Sequence, residues 1–178
     1  MTLTQLRRKR VVFELKSAKD YGRERRGRLL EAIRLFEEAV NTEAFDSRVL
    51  EYRSFFGSRL SETRGLTQEE VLIAYKAWPG GEVTRSKIIV PLRLQLELED
   101  GCGVYGFVRG GKPKIHTYSS FFDRASPSWM AGHLAHEFAH VAGFSHRECT
   151  RLTRRHTVPY AIGEIVWEIA EDIVEESE

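Results

Sequence analysis

The sequence predicts an α+β protein, and three observations carry that reading. Apolar residues recur at helical spacing between Arg23 and Phe56, at strand spacing between Ile88 and Glu99, and at helical spacing again after Trp129. This pattern describes N-terminal helices, a small mixed or antiparallel sheet, and two further helices. A chain of 178 residues with 42% hydrophobic content is long and apolar enough for one ordinary domain with a sizeable core. No internal repeat or composition shift divides it, so residues 1–178 read as a single unit whose first 20 residues are a basic segment.

The elements follow in order. Met1–Tyr21 is basic and weakly patterned, with a strand at Arg10–Leu15. From Arg23, Leu29, Leu30, Ile33, Phe36 and Val40 form one helical stripe. Asn41-Thr42 offers a cap for a second helix bearing Phe45, Val49, Tyr52 and Phe56, ended by Gly57. Thr67 and Glu70 stand at capping-box spacing before Val71, Tyr75 and Trp78, and Pro79-Gly80-Gly81 stops that helix. In Ile88–Glu99, Leu92, Leu94, Leu96 and Leu98 alternate with polar residues, the signature of a half-buried strand. Asp100-Gly101 turns the chain into a returning strand at Val104–Arg109, and Gly110-Gly111 turns it again into Lys114–Tyr118. Ser119–Ser128 reads as a loop. A helix from Pro127 or Ser128 to Ala142 ends at Gly143, and a last helix near Tyr160–Glu175 buries Ile162, Ile165, Val166, Ile169 and Ile173.

Charge excludes some function classes. With 27 basic and 26 acidic residues the chain is neither a nucleic-acid coat nor an acidic solvating tail. Its charge is unevenly placed. Residues 1–30 hold ten Lys or Arg against three acids, and residues 161–178 hold seven acids and no Lys or Arg. The basic start is expected to contact that acidic helix or a partner. Arg7, Arg8, Lys9 and Arg10 read first as a solvated terminus, with contact to nucleic acid as the alternative. Two cysteines, Cys102 and Cys149, do not make a disulfide scaffold. With no secretory signal and no apolar run long enough to span a bilayer, the expected location is cytoplasmic, away from any membrane.

The chemistry concentrates in one string, His136-Glu137-Phe138-Ala139-His140-Val141-Ala142-Gly143-Phe144-Ser145-His146. On a helix, His136 and His140 lie one turn apart on one side and can reach one ion. Glu137 is rotated by about 100° and approaches water on the metal instead. Gly143 permits the left-handed backbone that leaves a helix, which lets His146 return toward the same ion. Zinc suits a neutral three-nitrogen set with an open position for water, while iron, cobalt and manganese fit the same ligands. A fourth ligand from His133 or His156 would close the site and make it structural. Cys149 is a further soft candidate, or else a buried thiol. His116 is expected on or after a strand, facing solvent or substrate.

This string resembles the extended zinc signature of the metzincin metallopeptidases. The resemblance implies a compact zincin-like domain, with catalytic zinc on His136, His140 and His146, Glu137 as base on an active-site helix, and Gly143 as the turn. It implies a peptidase acting on a peptide or protein substrate. The sequence departs from the family in one place. A methionine turn belongs beneath the zinc, but Met1 and Met130 both precede His136. Val158-Pro159-Tyr160-Ala161-Ile162-Gly163 occupies that place, and Tyr160 becomes the candidate for steadying an oxyanion. An extended peptide would add to a sheet edge at Val104–Val108 or Lys114–Tyr118. The rival readings are a metal-dependent amidase acting on a small substrate, and a non-catalytic zinc-stabilised interaction or DNA-associated protein.

Overall fold

The computed structural model describes residues 1–53, 59–78, 80–98, 103–109, 114–146 and 153–177. In chain order the elements are α1 (Leu3–Arg7), β1 (Arg10–Lys19), α2 (Arg23–Val40), α3 (Glu43–Leu50) and α4 (Gln68–Lys76). They continue as β2 (Glu82–Val83), β3 (Lys87–Glu97), β4 (Gly106–Val108), β5 (Ile115–Tyr118) and α5 (Ser119–Phe122). Helix α6 (Pro127–Val141), a short 3-10 turn at Arg154–His156 and helix α7 (Val158–Glu175) complete the set. The caps follow their sequence signals. Thr42 and Thr67 accept hydrogen bonds from Phe45 and Glu70, and Ser126 accepts from Trp129 ahead of Pro127. Phe56, Gly57, Pro79, the turn at Asp100-Gly101, the pair Gly110-Gly111, Cys102 and Cys149 lie outside the described residues.

The sheet is mixed, with strand order β1-β3-β5-β4 and β2 paired to β3. Strands β1 and β5 flank β3 in parallel, while β4 runs antiparallel to β5. A consecutive hairpin succession after β3 is therefore not what forms, because β5 inserts between β3 and β4. Burial explains the choice. Ile115, His116 and Thr117 are all buried and suit an interior strand, whereas the three-residue β4 takes the edge. Of the two rims expected for an added peptide, only β4 is an edge. Strand β1 is also longer than its apolar alternation indicates, pairing with β3 from Arg10 to Lys19 through a bulge after Leu15. Helices α1 and α5, of five and four residues, are too short to show a period.

Helices α2 and α6 cover one face of the sheet. Aromatic rings converge on Phe138, midway between His136 and His140. Phe138 packs edge-on against Phe13 at 5.6 Å and Tyr75 at 5.3 Å, and Phe13 stacks on Phe36 at 4.1 Å. The outer edge of β1 is covered at Val11 and Phe13 by side chains from the last turn and cap of α2. Asn41 accepts from the Val11 amide and donates to the Val11 carbonyl, and Glu37 accepts from the Phe13 amide.

The basic N-terminus turns inward. Arg7 approaches Asp46, Arg10 bridges to Glu37, and the Lys9 ammonium donates to the Thr84 and Arg85 carbonyls. The acidic α7 is met instead by Arg48 of α3, which reaches Glu168 at 2.8 Å and Asp172 at 3.7 Å. The expected pairing of the chain's two charged ends is thus replaced by nearer partners. Asp46 also holds Lys76 of α4 at 2.7 Å in a buried pair, and burial pulls the Lys76 ammonium below its ordinary range.

Helices α6 and α7 cross where two glycines face each other. A Cβ on Gly132 would stand 2.7 Å from the Gly163 carbonyl oxygen and 2.7 Å from Trp167 Cβ. One on Gly163 would stand 3.0 Å from the Gly132 oxygen and 3.1 Å from His136 Cβ. Neither position yields easily, because the obstacles are main chain or lie next to it. Gly132→Ala should lower unfolding free energy by about 2 kcal/mol, as overpacking does. Urea denaturation of this variant beside an exposed control such as Ser177→Ala checks it, and equal midpoints would refute the tight crossing.

Candidate metal centre

The C-terminal half of α6 and the turn after it build the site. His136 and His140 project from the same side of the helix with ring centroids 5.0 Å apart. The helix ends in a Schellman arrangement, in which the Phe144 amide bonds the Ala139 carbonyl and the Gly143 amide bonds the His140 carbonyl, both at 3.0 Å. Gly143 takes φ +94°, the left-handed conformation expected of it. Buried Phe144 anchors the turn, and His146 returns to lie 4.8 Å from His140 and 5.4 Å from His136, ring to ring.

One ligand atom from each of His136, His140 and His146 lies within 4.8 Å of the others, so the three form a cluster able to hold a metal ion. A tetrahedral zinc with nitrogens at about 2.0–2.1 Å needs them about 3.3 Å apart, so the triangle closes by no more than about 1.5 Å. Two of the rings are already oriented. His140 donates from Nδ1 to the Phe144 carbonyl at 2.9 Å, which leaves Nε2 unprotonated for an ion. His136 donates to the Pro159 carbonyl at the start of α7. Burial, then the neighbouring histidines, push the His136 imidazolium well below its ordinary range, so the ring is neutral as a ligand must be. Tyr160 packs its ring 4.6 Å from His136 and 5.1 Å from His146, with the Arg154 guanidinium 5.3 Å above it.

Glu137 lies on a different side of α6, the side that faces β4 and β5. Its carboxyl is buried, which pushes it up to about 8, and Oε2 has no hydrogen-bond partner. A buried carboxylate oxygen without a donor is costly, and a water or cation beside it removes that cost. The donor set that fits a metal ion is the three histidines, and Glu137 lies on the neighbouring side of the same helix. One turn earlier, His133 places Nδ1 3.9 Å from Glu137 Oε1 and Nε2 3.1 Å from Thr117 Oγ1. Burial pushes His133 down to about 3, so it is neutral. Gly106 of β4 packs on that ring, and a Cβ there would stand 2.7 Å from His133 Cε1.

Neither proposed fourth histidine joins the cluster. His133 faces Thr117, and His156 faces the Tyr52 hydroxyl at 3.2 Å. Among the described residues the ligand group is His136, His140 and His146. His116 is also not at the surface. It is 7% exposed, stacked on Phe107 at 4.6 Å, with Nδ1 2.5 Å from Glu97 Oε1. Arg7, Arg8, Lys9 and Arg10 line a separate shallow concavity with Glu38, Asn41 and Ser86.

A strap at residues 60–65, marked by no motif or periodicity, braces the centre. The Ser61 amide bonds the His156 carbonyl at 2.8 Å, and the Val158 amide bonds the Ser61 carbonyl at 3.3 Å. Glu62 accepts from the Ser145 hydroxyl at 2.9 Å. Arg64 lies against Gly143, its Nη1 2.8 Å from where a Cβ would be.

Comparison of the chain with known protein families, with curated proteins and with solved structures finds no match. Fold and site together define the class: an α+β protein with a small mixed sheet and a three-histidine cluster able to bind a metal. Among the described residues no helix is long and apolar enough to cross a membrane.

His136→Ala, His140→Ala and His146→Ala should each weaken zinc binding by at least tenfold, whereas His133→Gln and His156→Gln should leave stoichiometry unchanged. Competition titration with a chromophoric chelator measures this. Loss of zinc from the His133 or His156 variant would place the fourth ligand there.

Proposed function

We propose that the protein is a zinc-dependent hydrolase whose single catalytic domain spans residues 1–178, and that it cleaves peptide bonds. The observation that supports this reading is a three-nitrogen cluster on the same helix and turn as a buried carboxyl, Glu137, one oxygen of which has no hydrogen-bond partner. A site serving only to staple the fold commonly fills every position with protein ligands, whereas among the described residues His133 faces Thr117 and His156 faces Tyr52, not the cluster.

Zinc in this cluster supplies Lewis acidity and lowers the pKa of a water at its open position. Glu137 accepts the proton of the attacking water and delivers it to the leaving amine. Its buried setting raises its proton affinity, which suits the second half of that task. Tyr160, packed on two of the histidines, presents its hydroxyl as donor to the oxygen that gains charge as the carbonyl is attacked. The Pro159 and Phe144 carbonyls keep His136 and His140 turned inward. An extended substrate pairs with the outer edge of β4, where no strand lies among the described residues and where Gly106 lies against His133, one turn from Glu137. No methionine is required beneath the histidines, because Pro159, Tyr160 and Gly163 of α7 form that floor.

Glu137→Gln should retain one zinc per chain and lose turnover by 10²-fold or more, in line with removal of a general base. Tyr160→Phe should lower kcat with little change in KM. Digestion profiling on a peptide library, run beside metal analysis, reads both. Full zinc loading with no Glu137-dependent cleavage of any peptide would overturn the peptidase reading and favour a non-catalytic zinc protein.

A further inference from the structure

We propose that Glu62 is a positioning residue for the third histidine, acting through Ser145; this rests on the reading that His136, His140 and His146 bind a metal.

Three independent anomalies meet at this residue. First, Glu62 has φ +52° and Arg64 has φ +62°, so two residues with full side chains sit in the left-handed region beside Gly65 at +80°. That conformation is costly for a residue carrying a Cβ and persists only where surroundings enforce it. Second, the strap is enforced from both sides. Ser61 is tied to His156 and Val158 at the entry to α7, and Arg64 abuts Gly143. Third, the carboxylate is committed to one partner. Oε2 accepts from Ser145, while Oε1 is buried without any hydrogen bond.

The geometry makes sense of all three. His136 and His140 are fixed by their helix, but His146 hangs on a four-residue turn, Gly143 to His146. The Schellman bonds end at Phe144, leaving Ser145 and His146 beyond the helix's own control. Glu62 holds Ser145, and thereby sets where His146 can stand. The strained backbone at Glu62 is what carries its carboxylate across to the turn from a segment already pinned at Ser61. Outer partners of metal ligands contribute roughly 10–100-fold in affinity.

The test uses the full chain with Co2+, whose visible absorption reports ligand geometry. Wild type, Glu62→Gln, Glu62→Ala, Ser145→Ala and the double variant Glu62→Ala with Ser145→Ala are titrated, and thermal unfolding of each metal-free protein is followed separately. Glu62→Ala and Ser145→Ala are each expected to weaken Co2+ binding by about 10–100-fold and to alter the spectrum. The double variant should be no worse than the worse single one, since both act through one bond. Glu62→Gln keeps an acceptor for Ser145 and should retain the wild-type spectrum with a smaller affinity loss. Metal-free unfolding should not account for these differences.

Wild-type affinity and spectrum in Glu62→Ala would overturn the proposal, as would losses that multiply in the double variant. An affinity loss that tracks metal-free stability alone would make Glu62 merely structural. If Glu62→Ala does not fold, Glu62→Gln and Ser145→Ala carry the same comparison. A wild-type chain that takes up no Co2+ would defeat the metal-binding reading itself, and this proposal with it.

Discussion

The backbone contact between Gly132 and Gly163 sets the distance on which the histidine centre depends. Because neither residue carries a Cβ, α7 lies directly against α6, so close that a Cβ on Gly163 would stand 3.1 Å from His136 Cβ. Pro159, one turn before Gly163, is thereby placed to accept from His136. Tyr160 is placed to cover two of the three rings. A single side chain at the crossing would move all of these together, since they share one rigid helix. Helix α7 is thus part of the site's wall, although it supplies none of the clustered nitrogens.

Helix α6 serves three surroundings at once. Phe138 faces the aromatic core, and Tyr75 donates its hydroxyl to the Ala135 carbonyl at 3.2 Å. His133 and Glu137 face the β4 and β5 end of the sheet. His136 and His140 face the open side with His146. The periodicity of 3.6 residues makes this division possible within five consecutive residues. It also explains why so much polar chemistry is buried here: His133, Glu137 and Thr117 are covered by the same packing that stabilises the helix. Burial then works against charge on every one of the titratable groups among them. A neutral imidazole is what a metal ligand needs, and a carboxyl of raised proton affinity is what a proton carrier needs.

Much of this was legible in the residues. The histidine string, the turn at Gly143 and the bounds of α6 follow from local rules, because a cap, a period and a left-handed turn act within a few residues. Sheet order was not legible. Whether β5 lies beside β3 or beyond β4 depends on which strand buries both flanks, and alternation in one strand does not name its neighbour. The strap at residues 60–65 was equally hidden, because Glu62 and Arg64 belong to no periodic pattern and act only through tertiary contacts. His133 could be singled out by its position on the helix, but its partner Thr117 comes from a strand 16 residues earlier. The charged ends were misread for the same reason. Net charge along the chain does not reveal that Asp46 and Glu37 stand closer to the basic start than α7 does.

The two borders of the sheet are treated differently, and that asymmetry limits how copies of this molecule can associate. At Val11 and Phe13 of β1, Asn41 and Glu37 occupy backbone groups that a foreign strand would use. Along β4, three residues are paired on one side only, and among the described residues no strand lies on the other. Growth of a continuous intermolecular sheet requires each unit to offer two free borders. At Val11 and Phe13 the backbone groups are already taken, so a foreign strand cannot pair along the start of β1 without displacing Asn41 and Glu37.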